Sequence, residues 1–562
     1  MNHVYRLVWN RTLNALVAAP EIAGSGGKAS SSATRRSRRT LAPLIRAALC
    51  ALGCTPAVAF ALPTGGQVIA GQASLRQSGS ALTITQSSAK AILNWQSFGI
   101  GSQQTVTFDQ PNVDSIALNR VLGSDPSAIY GHLNANGQVF LVNPNGITFA
   151  PGAQVDVGGL VASTLNIGNA AFLAGDYIFS GTSHAAVIND GTVTAAPGGY
   201  VAFLGRQVIN DGTLATPGGT TALGAGGTVS LTFAGNSLLH FQVSDATLNA
   251  LAQNGGLIEA NGGTVLLTAD ARDALLQTVV NNTGVIEAQT VQNHAGTIEL
   301  LGGASGTTEV SGTLDAGNPA GGPGGTIETS GDHVQIGPAT LDAGTGGQWL
   351  IDPVDLTIGT TAASAIDTAL NNGTSVIEET TATGTSNTGS TNAGTTSTNG
   401  LGDIIVDAPI SWSANGTSTS PVTLTLSAYH SLDINAAITA TGSNDALVLT
   451  TDNNIGGTSS GGTLNIDAPV TLSGATPGLT INGTAYTVIQ TMTQLQDMNS
   501  NLAGHYALGE NLTDTNQATS FTPVGNGTTS FTGTFDGLGH TISDLTIDLS
   551  SANGVGLFGE NA

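Results

Sequence analysis

The sequence predicts an all-β protein, a right-handed parallel β-helix (solenoid) preceded by a cleaved leader. Short runs of Val, Ile, Leu and Thr recur with Gly, Asn or Asp between them, and almost no segment after residue 62 has the 3.6-residue apolar period of a helix. These runs also repeat at intervals of tens of residues. Imperfect repeats of β segments joined by glycine corners are typical of a solenoid.

Two repeats show the spacing most clearly. The sequence VINDGT occupies residues 187–192 and returns at 208–213, 21 residues later, and the triplet IEA occupies 258–260 and 286–288, 28 residues apart. Coils of about 22 residues would give roughly 20 coils after the leader. The alternative, a string of β-sandwiches, would need more aromatic core residues and more hairpin alternation.

Further repeats extend the pattern in both directions. A Gly-Thr-Val/Ile step recurs at Gly227, Gly263, Gly296 and Gly325. A second family of related segments comprises VDAPI at 406–410, INAAI at 434–438 and IDAPV at 466–470. We therefore expect coils both before and after the middle of the chain.

The leader is predicted to have two parts. Residues 1–28 resemble the extended signal-peptide region of large proteins exported by Gram-negative bacteria. Residues 29–61 have the basic, apolar and small-residue order of a Sec signal peptide. The longest uncharged piece, 47–60, is shorter than the ~20 residues of a transmembrane helix.

The end of the leader is predicted from its small residues. We expect cleavage between Ala61 and Leu62, with Ala59 as the alternative site. Lipidation at Cys54 is a further alternative, since residues 51–54 loosely match a lipobox.

Composition divides the remaining chain into five segments. Residues 62–316 are expected to form the N-terminal domain and first coils, with Trp95 and Phe98 packed in its core or cap, and 317–372 a Gly/Pro-rich loop and further coils. Apart from 376–379, residues 373–402 are almost wholly Thr, Ser, Asn, Gly and Ala, which predicts a linker. Coils resume at 403–489, and 490–562 forms a different terminal segment.

Charge and cysteine change when the leader is removed. Eight of the 13 Lys and Arg residues lie in the leader with one acidic residue, Glu21, so the mature chain keeps 5 basic and 36 acidic groups. Nucleic-acid binding is not expected, because it needs clustered Lys and Arg. Both cysteines, Cys50 and Cys54, also leave, which excludes disulfides and thiolate chemistry from the mature protein.

No motif in the sequence predicts an enzyme, a cofactor or a metal site. The nucleophile elbow, the HExxH pair and the P-loop are absent, and the histidines are scattered. The carboxylate pairs Asp352/Asp355 and Asp403/Asp407 could form acid/base couples. However, few cations remain to stabilise a charged transition state, so we expect no catalysis.

The most informative motif is Asn143-Pro144-Asn145-Gly146-Ile147, between the apolar runs 139–142 and 147–149. Pro144 presets φ, and Asn145 and Gly146 tolerate left-handed backbone, so the motif predicts a tight turn. Taken alone, this turn indicates a β-hairpin with no special function.

The 47 residues around this turn, 119–165, resemble the N-terminal secretion domain of filamentous haemagglutinin-like exoproteins, the cargo of two-partner secretion. The resemblance implies Sec export, and then recognition by a dedicated outer-membrane transporter of the Omp85-like barrel class. It further implies that residues 143–147 shape or present the recognised turn and that Asn119 and Arg120 lie in a second matching segment. Direct contact with the transporter and a role in folding both remain open.

The same resemblance implies a secreted adhesin, either released or retained at the outer-membrane surface, with a host-cell or bacterial receptor that the sequence does not identify. Two alternatives share the secretion domain: a carrier of a contact-dependent growth-inhibition toxin, and a haem-scavenging or haemolysin-type cargo.

Residues 490–562 resemble the start of a GLUG-type repeat region. Residues 535–540 would form a turn, and Ile542, Leu545 and Ile547 would be inward-facing strand residues. A solenoid normally needs several stacked repeats. Because one such unit is present, we expect a truncated gene product.

Overall fold

Parallel strands from successive turns of the chain stack into long ladders, as the repeats predict. The computed structural model describes residues 5–10, 15–20, 62–272, 278–381, 400–414, 421–453, 460–515, 521–549 and 554–560.

The chain divides into two compact units, residues 1–59 and 60–562. In the first unit, β1 (Tyr5–Asn10) and β2 (Ala15–Pro20) pair antiparallel. The predicted cleavage residue Ala61 lies outside the described residues, whereas Leu62 is buried in the core of the second unit.

The elements of the second unit follow one another in three stretches. The first contains β3 (Gln67–Ala70), β4 (Ala73–Ser78), β5 (Ala81–Gln86), β6 (Lys90–Trp95), β7 (Thr105–Asp109), β8 (Ile116–Val121), β9 (Ser127–Ile129), β10 (His132–Ala135), β11 (Gln138–Val142), β12 (Ile147–Phe149), β13 (Gln154–Ser163), α1 (Asn169–Ala174), β14 (Tyr177–Ser180), β15 (Ala186–Asn189), β16 (Thr192–Gly205), β17 (Gln207–Asn210), β18 (Thr213–Ala215), β19 (Thr220–Ala225), β20 (Thr228–Ala234) and β21 (Ser237–Ser244).

The second stretch contains β22 (Leu251–Asn254), β23 (Leu257–Glu259), β24 (Thr264–Ala269), β25 (Thr278–Asn282), β26 (Val285–Glu287), β27 (Thr297–Leu301), β28 (Thr307–Val310), β29 (Thr313–Asp315), β30 (Thr326–Ser330), β31 (His333–Ile336), β32 (Thr340–Asp342), β33 (Gln348–Asp352), β34 (Leu356–Ile358), α2 (Thr360–Asn371) and β35 (Ser375–Glu379).

The third stretch contains β36 (Ile404–Val406), β37 (Ile410–Trp412), β38 (Thr423–Ser427), β39 (Leu432–Ile434), β40 (Ile438–Ala440), β41 (Ala446–Thr450), β42 (Leu464–Ile466), β43 (Val470–Leu472), β44 (Gly478–Ile481), β45 (Thr484–Ala485), β46 (Thr487–Ile489), α3 (Met492–Asp497), a 3₁₀ helix (Met498–Ser500), β47 (His505–Leu508), β48 (Leu512–Thr513), β49 (Thr534–Asp536) and β50 (Ile542–Ser543).

From β7 to β33, each coil places one strand in each of three parallel ladders, and this arrangement confirms the predicted parallel β-helix. Ladder 1 is β9, β12, β15, β17, β22, β25, β28 and β31. Ladder 2 runs from β5 and β7 through β10 and the first halves of β13 and β16 to β18, β23, β26, β29 and β32. Ladder 3 runs from β6 and β8 through β11 and the second halves of β13 and β16 to β19, β24, β27, β30, β33, β35, β38, β41 and β44.

The sequence repeats mark residues that stack directly. Val187 pairs with Val208, and Ile258 pairs with Ile286, as their repeats predict. The expected coil length of about 22 residues is wrong for many coils, because residues stacked in ladder 3 are between 20 and 48 positions apart. The longer coils carry excursions that leave the ladders.

The Gly-Thr step is a stacked repeat at three of its four positions. The threonines after Gly263, Gly296 and Gly325 occupy one column of ladder 3. The step at Gly227 instead precedes β20, which pairs antiparallel with β21 and β14 outside the coils. A local sequence match therefore does not distinguish a coil strand from an excursion strand.

Inward-facing aliphatic side chains stack from coil to coil. One column of ladder 2 comprises Val193, Leu214, Ile258, Ile286, Leu314 and Leu341, all with no exposed surface. Their burial removes apolar area from water at about 25 cal/mol per Å². Because each coil covers the apolar residues of the previous one, stability depends on stacking neighbours.

A column of asparagine amides lies at the ends of four successive ladder 1 strands. It contains Asn189, Asn210, Asn254 and Asn282, which are fully buried. Each Nδ2 donates to the Oδ1 of the next asparagine, with all three distances 2.8 Å. The column satisfies polar groups that would be costly to bury without partners.

Glycine columns stand at the corners on both sides of ladder 2. The first contains Gly191, Gly212, Gly256, Gly284 and Gly312, and the second Gly199, Gly219, Gly263, Gly296 and Gly325. A Cβ added to Gly256 would lie 2.1 Å from the carbonyl oxygen of Gly212, and one added to Gly263 would lie 2.0 Å from that of Gly219. At these corners the backbone of one coil therefore takes the space of a side chain on the next.

Antiparallel strands cover the first coil. The β4–β5 hairpin pairs internally, and β3 pairs antiparallel with β6. The nearby residues Trp95 and Phe98, expected in core or cap packing, are buried edge to face with ring centroids 5.5 Å apart.

Two excursions cover the outer face of ladder 3. One carries α1 and β14, the other carries β20 and β21, and the three strands form an antiparallel sheet. Phe140 on ladder 3 packs against Phe172, Tyr177, Phe179 and Phe233 of these excursions, with ring centroids 5.6–6.0 Å apart. The early coils thus have a second apolar core outside the solenoid interior.

Helix α2 takes the place of a ladder 2 strand. It follows β34, precedes β35, and buries Ala362, Ile366, Ala369 and Leu370 against the coils. The expectation of almost no helix after residue 62 is wrong here. The apolar residues do recur at three- and four-residue steps, but they are short Ala-rich runs among Thr and Ser that resemble the surrounding coil sequence.

The coils after α2 continue on new ladders. One contains β34, β36, β39 and β42, and another contains β37, β40 and β43. Val406 stacks on Ile434, and Ile410 on Ile438, as the second family of repeats predicts. Within the predicted linker 373–402, β35 is a strand of ladder 3, while residues 382–399 lie outside the described residues.

Residues 487–560 build a separate apolar cluster. Strand β47 lies between β46 and β49, and β48 pairs with β50. Paired residues are 29 positions apart in β47–β49 and 30 positions apart in β48–β50. Thr491 and Gln494 form a capping box at the start of α3. Ile542, Leu545 and Ile547 pack against this cluster. The GLUG-type resemblance itself stays a prediction.

Among the helices of the described residues, none has both the length and the apolar character to cross a membrane.

Candidate functional site

The turn at residues 143–147 is a corner between two ladders. It joins β11 of ladder 3 to β12 of ladder 1, and both strands pair in parallel with strands of other coils. The hairpin interpretation of this turn is therefore wrong, because a hairpin would pair β11 antiparallel with β12.

Asn143 holds this corner together from inside. Its side chain is fully buried, and its Nδ2 donates to the carbonyl oxygen of Asp125 and to Ser127 Oγ, both at 3.0 Å. Its Oδ1 accepts hydrogen bonds from the backbone N–H and the side-chain amide of Asn145, both at 3.0 Å. Its carbonyl oxygen accepts from the Gly146 N–H at 3.1 Å, which closes the turn.

The tip of the corner is exposed. Pro144 and Asn145 face solvent, while Gly146 and Ile147 are buried. Gly146 has φ of +114°, which L side chains rarely adopt, and its nearest neighbours would be 3.5 Å from an added Cβ. Glycine is thus needed here for its backbone conformation rather than for space. Ser183 Oγ donates to the Pro144 carbonyl oxygen at 2.5 Å and ties the tip to the first excursion.

Asn119 lies inside the solenoid, one coil before the corner. It has no exposed surface, and its Oδ1 accepts a hydrogen bond from Trp95 Nε1 at 3.0 Å. Its Nδ2 donates to the carbonyl oxygen of Ala117 at 3.1 Å. A residue in this position satisfies a buried indole N–H, which is a structural role.

Arg120 anchors the first excursion to ladder 3. Its Nε donates to Asn166 Oδ1 at 3.0 Å, one terminal nitrogen to Asn169 Oδ1 at 2.7 Å, and the other to the Ile167 carbonyl oxygen at 2.5 Å. Burial lowers the pKa of Arg120 from its ordinary value, yet guanidinium stays charged in proteins.

The fold brings the two motif segments together. Leu141 pairs with Asn119 and Val142 with Arg120, so Arg120 lies in register with the residue just before the turn. The predicted residues Asn119, Arg120 and 143–147 therefore form one patch, with Asn119 and Asn143 inside it and the turn tip outside.

Four partners of this patch were not anticipated from sequence. Asp125, Asn166, Asn169 and Ser183 contact it from segments before and after the motif. These residues lie in turns and excursions of ordinary composition, and no local pattern signals a contact across 18 to 49 positions.

The Arg120→Gln variant should loosen the first excursion without unfolding the coils. It removes charge-assisted hydrogen bonds, which contribute more than neutral ones. We expect faster hydrogen exchange in α1, by about tenfold or more, with unchanged exchange in β24 and β27. Hydrogen exchange with mass spectrometry measures this, and Arg76→Gln, at an exposed arginine in β4, is the control. Unchanged exchange in α1 would contradict the anchoring role.

Stacked carboxylates dominate the electrostatics of the outer surface. Glu259, Glu287, Asp315 and Asp342 form one column of ladder 2. Burial raises the pKa of Glu287, and the charges of Glu259 and Asp315 raise it further. Directly opposed like charges are destabilising, so this column favours stacking at acid pH.

The members of the two carboxylate pairs considered for acid/base chemistry have separate surroundings. Asp403 contacts His430 Nδ1 at 2.7 Å, and Asp407 accepts from Asn435 Nδ2 at 2.9 Å. Burial, followed by the charges of Glu379 and Glu328, raises the pKa of Asp352 to about 6. Asp355 accepts hydrogen bonds from the backbone N–H groups of Gly400, Gly402 and Asp403 at 2.7–3.0 Å. Its carboxylate thus holds a loop. In the described part of the chain, no group of three or more His, Cys, Asp or Glu is placed to hold a metal ion.

Comparison with known families assigns most of the first 337 residues. The model of the TPS secretion domain matches residues 59–337, and the model of the Extended Signal Peptide of Type V secretion system matches residues 1–50. The first of these matches contains the whole patch at Asn119, Arg120 and 143–147.

Similar proteins agree with these matches. The crystal structure of the HMW1 secretion domain from Haemophilus influenzae superposes with a TM-score of 0.53 at 25% identity, covering 75% of this chain and all of that one. A Heme/hemopexin-binding protein from H. influenzae strain Rd is 36% identical over 262 residues, 44% of this chain. A second Heme/hemopexin-binding protein from H. influenzae is 43% identical over 99 residues. The matched regions span 28% and 11% of these two relatives.

Proposed function

The chain belongs to the cargo proteins of two-partner secretion, and from this premise we propose that it is an adhesin that presents the turn at 143–147 to its outer-membrane transporter. The family implies Sec export through the leader, an Omp85-like transporter partner and a secreted product. The adhesive activity and the role of the turn are the proposal.

The observation that carries the role of the turn is its division into a buried frame and an exposed tip. Asn143 and Ile147 are buried, and the frame fixes Pro144 and Asn145 at the surface. Pre-organised surface turns of this kind suit recognition, because little conformational entropy is lost on binding. Residues such as Asn119, inside the solenoid, support the frame.

Regular polar columns on the outer faces support an adhesive role. Thr264, Thr297 and Thr326 form one outward column of ladder 3, and the carboxylate column of ladder 2 stands on the neighbouring face. Hydroxyl and carboxylate groups spaced by one coil, ~4.8 Å, offer repeated hydrogen-bonding positions. Such a surface suits a polar receptor on a host or bacterial cell.

A haem-binding cargo is the second candidate, favoured by the two Heme/hemopexin-binding relatives. Their matched regions are a minor part of each relative, so the similarity covers only part of each protein.

One experiment distinguishes these functions. We expect the chain to reach the culture medium when a cognate two-partner transporter is co-expressed, and to remain in the periplasm without it. The secreted product is then titrated with haem, followed by Soret absorbance, and in parallel incubated with epithelial cells and bacteria. Cell binding without a haem-dependent Soret shift supports an adhesin. A stoichiometric Soret shift without cell binding favours the second candidate, and transporter-independent release contradicts the export role.

A further inference from the structure

One coil of the solenoid shares a single strand pair with the coil before it, and helix α2 packs against β32 of that earlier coil. The earlier coil is formed by β31, β32 and β33, and the later one by β34, α2 and β35. In the described residues, the two coils share one registered pair, β33–β35, which contains four residue pairs. β34 does not pair with β31, and α2 packs where ladder 2 would continue. This interface, called here the joint, immediately follows the end of the secretion-domain match at residue 337.

Glu378 lies inside the solenoid at the joint. It has no exposed surface and is in register with Ile351 on β33 and Leu426 on β38. Neither of its carboxylate oxygens has a hydrogen-bond partner in the described residues. Burying an ionised carboxylate without a partner carries a large cost, so the group is neutral when the joint is closed.

The neighbouring strands and helix of the same interior contribute apolar groups at the joint. Ile366 and Leu370 of α2, Leu356 of β34 and Ile404 of β36 are buried in the same core. The one titratable residue of α2, Asp367, accepts a hydrogen bond from the backbone N–H of Ser411 at 2.7 Å. None of these groups compensates a charge on Glu378.

Of the remaining charged groups near the joint, Asp352 and Glu379 lie on the opposite face of their strands, and the others have hydrogen-bond partners. Asp352 Oδ1 is itself buried without a partner in the described residues. Asp352 and Glu379 are the sequence neighbours of the paired residues Ile351 and Glu378, so strand alternation places them on the opposite, outer face. Asp332 pairs with His333 at 2.8 Å. Asp342 Oδ1 accepts from the Gly344 N–H at 2.7 Å, and Asp403 Oδ1 contacts His430 Nδ1 at 2.7 Å. Asp355 accepts from the backbone N–H groups of Gly400, Gly402 and Asp403.

We propose that the joint is a proton-dependent connection: the coils from β34 onward dock on the secretion-domain coils when the Glu378 carboxyl carries a proton, and separate when it is ionised. This interface has one strand pair where the interface before it has three, so fewer ladder hydrogen bonds must break for it to open. The separated state leaves the coils of residues 62–352 folded, because their ladders do not depend on β35.

Protonation favours the closed joint because of the direction of the pKa change. Burial raises the pKa of Glu378 to about 8, from an ordinary value of 4.5 that it recovers when the joint opens. The closed state therefore binds the proton more tightly than the open state, and its advantage is complete below pH 4.5. It is lost as the pH rises from 4.5 towards 8 and changes little above that.

Hydrogen exchange of the purified 562-residue chain tests the proposal. The unmodified chain and Glu378→Gln are compared at each of several pH values between 5 and 8.5, so that the intrinsic pH dependence of exchange cancels. We expect protection of β35 and β38 in the unmodified chain to fall relative to the variant by about tenfold to a hundredfold between pH 5 and pH 7. Protection in β16 and β19, far from the joint, should show no such divergence.

Glu379→Gln, on the outer face of the same strand, is the matched control. In this variant the protection of β35 and β38 should still fall with rising pH above pH 6.5. Glu378→Leu is a second test variant, which replaces the carboxyl by apolar atoms and should also lose the dependence. The carboxyl is also titrated directly, by ¹³C NMR of the unmodified chain labelled at glutamate. A Glu378 pKa below 6, or an identical pH response in the unmodified chain and both Glu378 variants, would overturn the proposal.

Discussion

The double variant Asn145→Ala, Gly146→Ala should reduce the chain in the culture medium at least tenfold while the coils remain folded. Asn145 is exposed, and its side chain donates to the Gly123 carbonyl oxygen at 2.9 Å and to Asn143 Oδ1. Alanine at position 146 has room, so its cost is backbone strain of about 1–2 kcal/mol. This cost is local. Loss of secretion would therefore report the presented turn rather than unfolding.

The measurement is the fraction of the chain in the medium of a host that carries the transporter, with protease resistance of the purified variant as the check of folding. Asn482→Ala, Gly483→Ala is the matched control, because it alters an exposed Asn-Gly turn beyond the secretion domain. Asn143→Ala is the comparator for folding, since it removes four hydrogen bonds made by a buried side chain. Normal secretion of the double variant, with loss of secretion in Asn143→Ala, would assign the motif to folding alone.

Replacing Asn254 by leucine should destabilise the coils around β22 and β25 by about 2–4 kcal/mol. The substitution leaves Asn282 Oδ1 without the Asn254 donor and removes one of the acceptors of Asn210 Nδ2, both in a fully buried column. Leucine keeps a similar volume, so the effect comes from unsatisfied amides and not from a cavity.

Hydrogen exchange of these two strands should rise by about 30-fold to 1000-fold, the ratio equivalent to that free energy. The control is Asn465→Leu, which removes an exposed contact between stacked strands, from Asn465 Nδ2 to Asp433 Oδ1. We expect the control to change stability by less than about 0.5 kcal/mol. Equal protection in Asn254→Leu and the unmodified chain would show that the amide column adds nothing to coil stability.

Stacking could be predicted from the sequence wherever the repeated residues have a fixed structural role. VINDGT specifies an inward Val, a buried amide and a corner glycine, so its two copies align as they stack at Val187/Val208 and Asn189/Asn210. The sequence could not predict which strands leave the coils. Residues 228–234 alternate apolar and polar side chains as a coil strand does, and their antiparallel pairing depends on β14, some fifty residues earlier.

The candidate site was predictable as a motif but not as a structure. The five-residue turn and the Asn119-Arg120 segment could be identified because their residue types and order resemble a known domain. Which of these residues support the turn and which are presented depends on strand register. The register places Arg120 beside Val142, and its guanidinium donates to Asn166 and Asn169. Such long-range contacts leave no local signal, since asparagine is common in turns throughout this chain.

The two glycine columns imply that a coil added in the wrong register is sterically excluded. A newly added coil displaced by one residue would bring a side chain, such as that of Thr213 or Leu257, to the corner where only a glycine clears the neighbouring carbonyl oxygen. The Cβ of the misplaced residue would lie about 2 Å from that oxygen, well inside van der Waals contact, so the misplaced coil could not take its position. Correct and shifted coils would thus differ sharply in stability even where their apolar residues are interchangeable. For a chain that emerges progressively through a pore, the register of each coil on the previous coil would be fixed before the next coil emerges.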